Sequence, residues 1–247
     1  LNKRLLVFGD WNITVTREQG KCSMSTTKLG GIVIIGIWGR AGGDGIPGLV
    51  KELSFRLTAL GVPSDNSFSM SWNPDHNDSP FETPDTERHL AEIKARAMTP
   101  SYLAIIGHSY GGWAASRLSR ELQSPPDFVG LIDPVFGPNG DAEQIVQPNG
   151  NTIHNWYQRN SITEPTVIED CLGTVVGCPG GISCGRSIPS ITNEEVKWRR
   201  DWDGNRLRRN CLGGRKPRHS FHLNIDSDRH VWRQIIEQIE ADVRAQA

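Results

Sequence analysis

An α/β fold, with a compact and mostly parallel central sheet flanked by helices on both faces, is predicted by two features of the sequence. Short apolar runs of strand length alternate with longer segments of helical periodicity, the order produced when crossover helices join parallel strands. The strand runs are also continuously apolar: Ile32 to Ile37 and Tyr102 to Ile106 lack the alternation of a half-exposed strand and read as covered on both sides.

The elements follow in order. Ile32 to Ile37, bounded by glycines, is the first buried strand. After the Gly-rich stretch Gly36 to Gly48, Leu49, Leu53, Leu57 and Leu60 form a helical stripe closed by Gly61. Phe68 to Trp72 alternates as a second strand, and Asn73 to Pro84 is loop. Asp85 or Thr86 caps a helix carrying Leu90, Ile93 and Ala97, which Pro100 ends. The strand Tyr102 to Ile106 leads through Gly107-His108-Ser109-Tyr110-Gly111-Gly112 into a helix with Ala114, Ala115, Leu118 and Leu122 on one face. Phe128 to Asp133 is a strand with a carboxylate at its carboxyl end, and Thr152 to Gln158 is one more. Periodicity fades over a Gly/Cys/Arg-rich insertion at about 159–218. It returns with Asp228 as the cap of a helix bearing Val231, Ile235, Ile239 and Val243. Residues 1–28 are expected to form a poorly ordered N-terminal extension, leaving 29–247 as the domain.

Composition narrows the function classes. At 247 residues one domain is expected, and no apolar run approaches the roughly 18 residues of a membrane span. A net charge of −1 gives no global basic footprint for nucleic acid. Between Lys197 and Arg218, however, nine Lys/Arg stand against Asp201 and Asp203, a segment read first as a solvated insertion and second as one able to hold an anionic partner. Five cysteines cannot all pair within one chain, and no basic and apolar leader opens the sequence, so reduced thiols and a cytoplasmic location are expected. Cys171, Cys178 and Cys184 lack a C-x-x-C pair; a zinc site, a loop disulfide and free thiols all stay open for them. Eight tryptophans against three tyrosines are the compositional oddity, and several of those rings are expected to line an aromatic pocket or its lid.

Gly107-His108-Ser109-Tyr110-Gly111 fits the G-x-S-x-G nucleophile elbow, with the strand before it and the helix after it that give the motif meaning. A strand that reverses into a helix within about one residue forces the central residue into a strained conformation and leaves no room for a Cβ at the flanking sites. Ser109 is thereby lifted to the amino end of a helix, whose free N–H groups favour an oxyanion. A serine nucleophile needs a base, and the base an orienting acid. Asp133 and His222 follow Ser109 in the chain order that the motif predicts.

With its elbow, an acid closing the next strand in Leu131-Ile132-Asp133-Pro134, and a late histidine before the terminal helix, the chain from about residue 31 resembles the α/β-hydrolase family, as a compact member lacking that family's first antiparallel strands. The resemblance implies a serine hydrolase cleaving carboxylic esters through an acyl-enzyme, with no cofactor and a small-molecule acyl substrate. A thioesterase or acyltransferase using the same triad is the alternative, as is a non-catalytic protein of this fold holding an anionic partner through 197–218. The family places its acid at the end of either of two strands: Asp133 fits the first, while Glu164, Glu169 or Asp170 would serve the second. His222 is favoured as base over His219, because Phe221 and Leu223 alternate about it like residues leaving a strand; His230 falls within the last helix and His108 is read as packing. One oxyanion donor is the N–H of Tyr110. The second comes from the loop after the first strand, among Trp38, Gly39 and Arg40, where Trp38-Gly39 replaces the family's His-Gly.

The same loop holds Gly43-Asp44-Gly45-Ile46-Pro47-Gly48, a literal G-x-G-x-x-G. A dinucleotide site is disfavoured, since several residues separate the strand from the first glycine and no acid closes the next strand.

Overall fold

The computed structural model describes residues 14–18, 21–25, 28–40, 42–74, 82–136, 147–159, 187–196, 208–211, 214–217 and 221–246. Ten strands are formed among them: β1 (Thr14–Glu18), β2 (Lys21–Ser25), β3 (Ile32–Trp38), β4 (Ser67–Ser71), β5 (Tyr102–His108), β6 (Phe128–Ile132), β7 (Thr152–Tyr157), β8 (Thr192–Glu195), β9 (Arg208–Cys211) and β10 (Gly214–Pro217). The α-helices are α1 (Gly45–Thr58), α2 (Thr86–Arg96), α3 (Tyr110–Glu121), α4 (His222–Ile225) and α5 (Arg229–Gln246).

The central sheet has six strands in the order β4-β3-β5-β6-β7-β8, and every neighbouring pair is parallel. This is an α/β fold with helices on both faces of the sheet, as expected, and the sheet is all parallel where a mostly parallel one was expected. Two further antiparallel pairs, β1 with β2 and β9 with β10, stand apart from it. The first falls within the stretch read as an N-terminal extension and the second within the basic segment 197–218.

The continuous apolar runs are explained by the packing. Along β3, Ile32 and Ile34 enter one core with α1 and α5, while Val33, Ile35 and Ile37 enter the other with α3. Along β6, Phe128 and Ile132 go to the first side and Val129 and Leu131 to the second. Alternate residues therefore point to opposite faces, as the strand period requires, and both faces are apolar because both are covered. Helix α1 closes in a Schellman motif: Val62 N–H donates to Leu57 O and Gly61 N–H to Thr58 O, with Gly61 at φ +98°, a conformation that favours glycine. Asp85 caps α2 by accepting from Arg88 N–H at 3.0 Å.

In the G-x-G-x-x-G loop the second and third glycines serve packing. A Cβ on Gly45 would come within 2.3 Å of the Asp226 carboxyl carbon, and one on Gly48 within 2.9 Å of the Trp232 ring. The space beside the first turn of α1 is filled by the chain's own side chains, and the dinucleotide reading is set aside. Among the described residues no helix is long and apolar enough to cross a membrane, and no group of three or more His, Cys, Asp or Glu is placed to hold a metal ion.

Candidate active site

The carboxyl ends of β5 and β6 and the turn preceding α5 meet at one point. Ser109 stands between β5 and α3 at φ 57° and ψ −127°, far from the regions an ordinary L-residue occupies. The flanking glycines are what the turn demands. A Cβ on Gly107 would lie 2.1 Å from Gly111 O, and one on Gly111 2.0 Å from Ile37 O; both obstacles are backbone. Gly112 brings α3 against Pro134, where a Cβ would come within 2.7 Å of the ring.

His222 Nε2 is 2.8 Å from Ser109 Oγ, and its Nδ1 is 2.7 Å from Asp133 Oδ2. All three residues are buried. The contact with an ionised Asp133 makes Nδ1 the protonated nitrogen and leaves Nε2 to accept from the serine hydroxyl. Asp133 follows β6 at φ 43°, a conformation that Asp tolerates better than most side chains, and its N–H still donates to Trp156 O on β7 at 2.6 Å. Its carboxylate also accepts from Gln158, through the side-chain amide to Oδ2 at 2.8 Å and the backbone N–H to Oδ1 at 3.2 Å.

The turn after β3 runs directly over the nucleophile. A Cβ on Gly39 would lie 2.6 Å from Ser109 Cβ and 3.0 Å from Oγ, so only glycine lets the backbone approach so closely. Trp38 is partly buried, with its carbonyl held by Trp72 N–H at 2.9 Å, and Arg40 is exposed. Tyr110 is the first residue of α3, where N–H groups have no acceptor within the helix.

The sequence-predicted residues Ser109, Asp133, His222, Tyr110 and Gly39 are thus brought together. His222 opens a short helix, α4, where an exit from a strand was expected; Phe221 precedes it in extended conformation, its N–H bonded to Asn224 Oδ1 at 2.8 Å. His230 reaches Glu194 Oε1 on β8 at 3.0 Å, away from the serine. His219, Glu164, Glu169, Asp170, Cys171, Cys178 and Cys184 lie outside the described residues.

For the tryptophans among the described residues, the expectation of an aromatic pocket or lid needs correction. Trp72, Trp113, Trp156 and Trp232 are buried in the two cores and Trp38 packs at the edge of one, filling space between sheet and helices. Trp72, Tyr110 and Trp113 form one aromatic cluster, with ring centroids 4.9 to 6.3 Å apart. Trp11, Trp198 and Trp202 lie outside the described residues. Gln158 and Asp226 were not singled out from sequence. Gln158 had a signal, as a polar residue at the carboxyl end of a parallel strand, where such sheets gather their sites.

No family model matches the chain, and no curated protein does. Among solved structures it is similar to a protein of Xanthomonas campestris pv. campestris, provisionally described as a hydrolase of the alpha/beta superfamily. The two are 14% identical over 85% of this chain and 99% of that one, with a TM-score of 0.45. A provisionally described yden-like hydrolase from Pectobacterium atrosepticum is 14% identical over 53% of this chain and 64% of its own, with a TM-score of 0.33. A structure from work on LipS and LipT, two metagenome-derived lipolytic enzymes, is 11% identical over 87% and 94%, with a TM-score of 0.35. At these identities and scores the likenesses carry no argument about chemistry.

Proposed function

We propose that this chain is a serine hydrolase that cleaves carboxylic esters through an acyl-enzyme. The reading rests above all on the unbroken relay from Ser109 Oγ through His222 to Asp133, with both hydrogen bonds under 3 Å. In the first half-reaction His222 Nε2 takes the hydroxyl proton as Ser109 Oγ attacks the carbonyl carbon. Asp133, held by Gln158, stabilises the imidazolium that forms. The N–H of Tyr110 and one from the Trp38–Arg40 turn bind the oxyanion, where the absence of a Gly39 side chain keeps the approach open. The imidazolium then protonates the departing alkoxide. In the second half-reaction a water oxygen attacks the acyl carbon as its proton passes to His222, the bond to Ser109 Oγ breaks, and the imidazolium returns the proton to Oγ, releasing the acid.

A thioester, or an acyl acceptor other than water, would use the same groups. A panel of acyl esters and acyl thioesters of increasing length separates these substrate classes. The decisive experiment is labelling with a fluorophosphonate probe: a covalent adduct on Ser109, absent in Ser109→Ala, is expected. No adduct on the wild-type protein would sink the proposal in favour of a non-catalytic binding role.

A further inference from the structure

The dipeptide His108-Ser109 touches His222 twice. Ser109 Oγ meets the imidazole, and His108 Nε2 lies 3.0 Å from the backbone carbonyl oxygen of His222. A carbonyl only accepts, so Nε2 of His108 carries the proton, and in the neutral ring its Nδ1 is left as an acceptor. That Nδ1 faces Asp226 Oδ2 at 3.4 Å, with both side chains buried. An acceptor nitrogen opposite an ionised carboxylate is unfavourable away from water, so the contact calls for one proton between them. Burial, reinforced by His222, holds the His108 ring down to about 3, whereas burial pushes the Asp226 carboxyl up to about 6. Of the two, Asp226 is therefore the group that takes the proton, as pH falls through about 6.

Asp226 is itself held in place. It ends α4, four residues beyond His222 in the chain, and its carbonyl accepts from the Trp232 indole N–H on α5. Its carboxyl lies over Gly45 in the first turn of α1, with no space for a Cβ there. Among the described residues, Asp133 at the end of β6 and His222 at the head of α4 are the titratable groups facing the pair, and the Ser227 hydroxyl approaches Asp226 Oδ1 at 3.4 Å. The His108 and His222 rings are tilted by 35° with centroids 4.9 Å apart.

We infer that His108 and Asp226 form a positioning pair that clamps the backbone of His222 and so sets where its imidazole stands relative to Ser109. The inference rests on the proposed roles of Ser109 and His222. It gives a chemical role to the residue preceding the serine, which reads from sequence as packing alone. Through it, β5 carries both the nucleophile and the restraint on the base, so movement of α4 relative to β5 is resisted at two points.

The test is the rate of fluorophosphonate labelling, together with kcat and KM on a short-chain chromogenic ester. His108→Leu is expected to slow labelling roughly 10- to 100-fold, with kcat falling and KM little changed, since small misplacements of a catalytic group carry penalties of that order. His108→Gln, whose amide keeps a donor for the His222 carbonyl, is expected to recover most of the loss. Asp226→Leu, which leaves Nδ1 without its partner, is expected to slow labelling in the same direction, and Asp226→Asn, which offers Nδ1 a fixed donor, to lose less. If wild-type protein labels and folded His108→Leu labels equally fast, the positioning role is overturned while the hydrolase reading stands. Should His108→Leu fail to fold, the Asp226 variants decide, and folded Asp226→Leu that labels as fast as wild type overturns the inference. Absence of labelling in the wild type overturns both.

Discussion

Gln158 grips Asp133 at both carboxylate oxygens, donating its side-chain amide to Oδ2 at 2.8 Å and its backbone N–H to Oδ1 at 3.2 Å. Both residues are fully buried. A carboxylate without water needs such donors, and the one facing His222 is aimed by them.

Gln158→Leu removes the side-chain donor from a buried carboxylate. The expected cost is about 1–3 kcal/mol of stability, read from urea unfolding. Ester hydrolysis is expected to fall roughly 10-fold or more in kcat, as loss of an outer-shell partner does at other preorganised sites. Unchanged kcat would mean that the Gln158 side-chain amide is not needed to orient Asp133.

The strain at Ser109 predicts an order of stability among inactive variants. Ser109→Ala and Ser109→Gly both lose the hydroxyl and its bond to His222, but only glycine adopts φ 57° and ψ −127° without penalty. Strained residues of this kind cost of order 1–3 kcal/mol, and the extra freedom of an unfolded glycine offsets part of the relief. The glycine variant is expected to be more stable by about 1 kcal/mol, a rise in Tm of about 2–4 °C over the alanine variant for a chain of this size. Equal melting temperatures would show that the turn stores no strain at this residue.

Two glycines separate packing from chemistry. Gly111→Ala drives a methyl to 2.0 Å from a backbone oxygen of β3, and overpacking of this kind typically costs about 1–3 kcal/mol, with loss of soluble protein as the extreme. Gly39→Ala meets Ser109 and the His108 carbonyl, at 2.6 and 2.9 Å. There the expected outcome is a folded protein whose labelling by the probe is strongly slowed, because the methyl occupies the space beside the attacking oxygen. Circular dichroism and probe labelling on the two variants distinguish these effects.

What could be read from the residues follows the strength of the local signal. β3, β5 and β6 were legible because burial on both faces demands unbroken apolar runs, and the elbow because its glycines answer to backbone collisions rather than to side-chain chemistry. β8 was not: Thr192-Asn193-Glu194-Glu195 is a polar edge strand, held by pairing with β7 and by contacts from Glu194 to His230 and Gln234. Phe221 and Leu223 imitate a strand around His222, yet Asn224 closing back on the Phe221 N–H turns the chain into a helix. The tryptophans misled for a related reason. A large ring suits a substrate pocket and an interlayer core equally well, and only the sheet's two covered faces decide between them.

The buried ionisable groups make stability depend on pH in opposing ways. His108, held down to about 3, and His89, lowered by burial while its Nε2 bonds Ser71 O at 2.7 Å, stay neutral in the folded state but become protonated in the unfolded chain below about pH 6.5. The unfolded state then binds more protons, so both imidazoles erode stability as pH falls, His108 by about 2 kcal/mol at pH 5. Asp226, pushed up to about 6, acts in the other direction. Its folded form holds a proton that the unfolded chain has released, so its contribution grows as pH falls from about 6 toward 4 and is lost as pH rises. Wild-type stability between about pH 6.5 and 5 should therefore change less than the histidines alone would dictate. Asp226→Asn removes the opposing group. Its urea midpoint is expected to exceed that of the wild type at pH 7.5, where a buried anion has been eliminated, and to fall more steeply on acidification to pH 5. Parallel curves for the two proteins would mean that Asp226 does not hold its proton in the folded state.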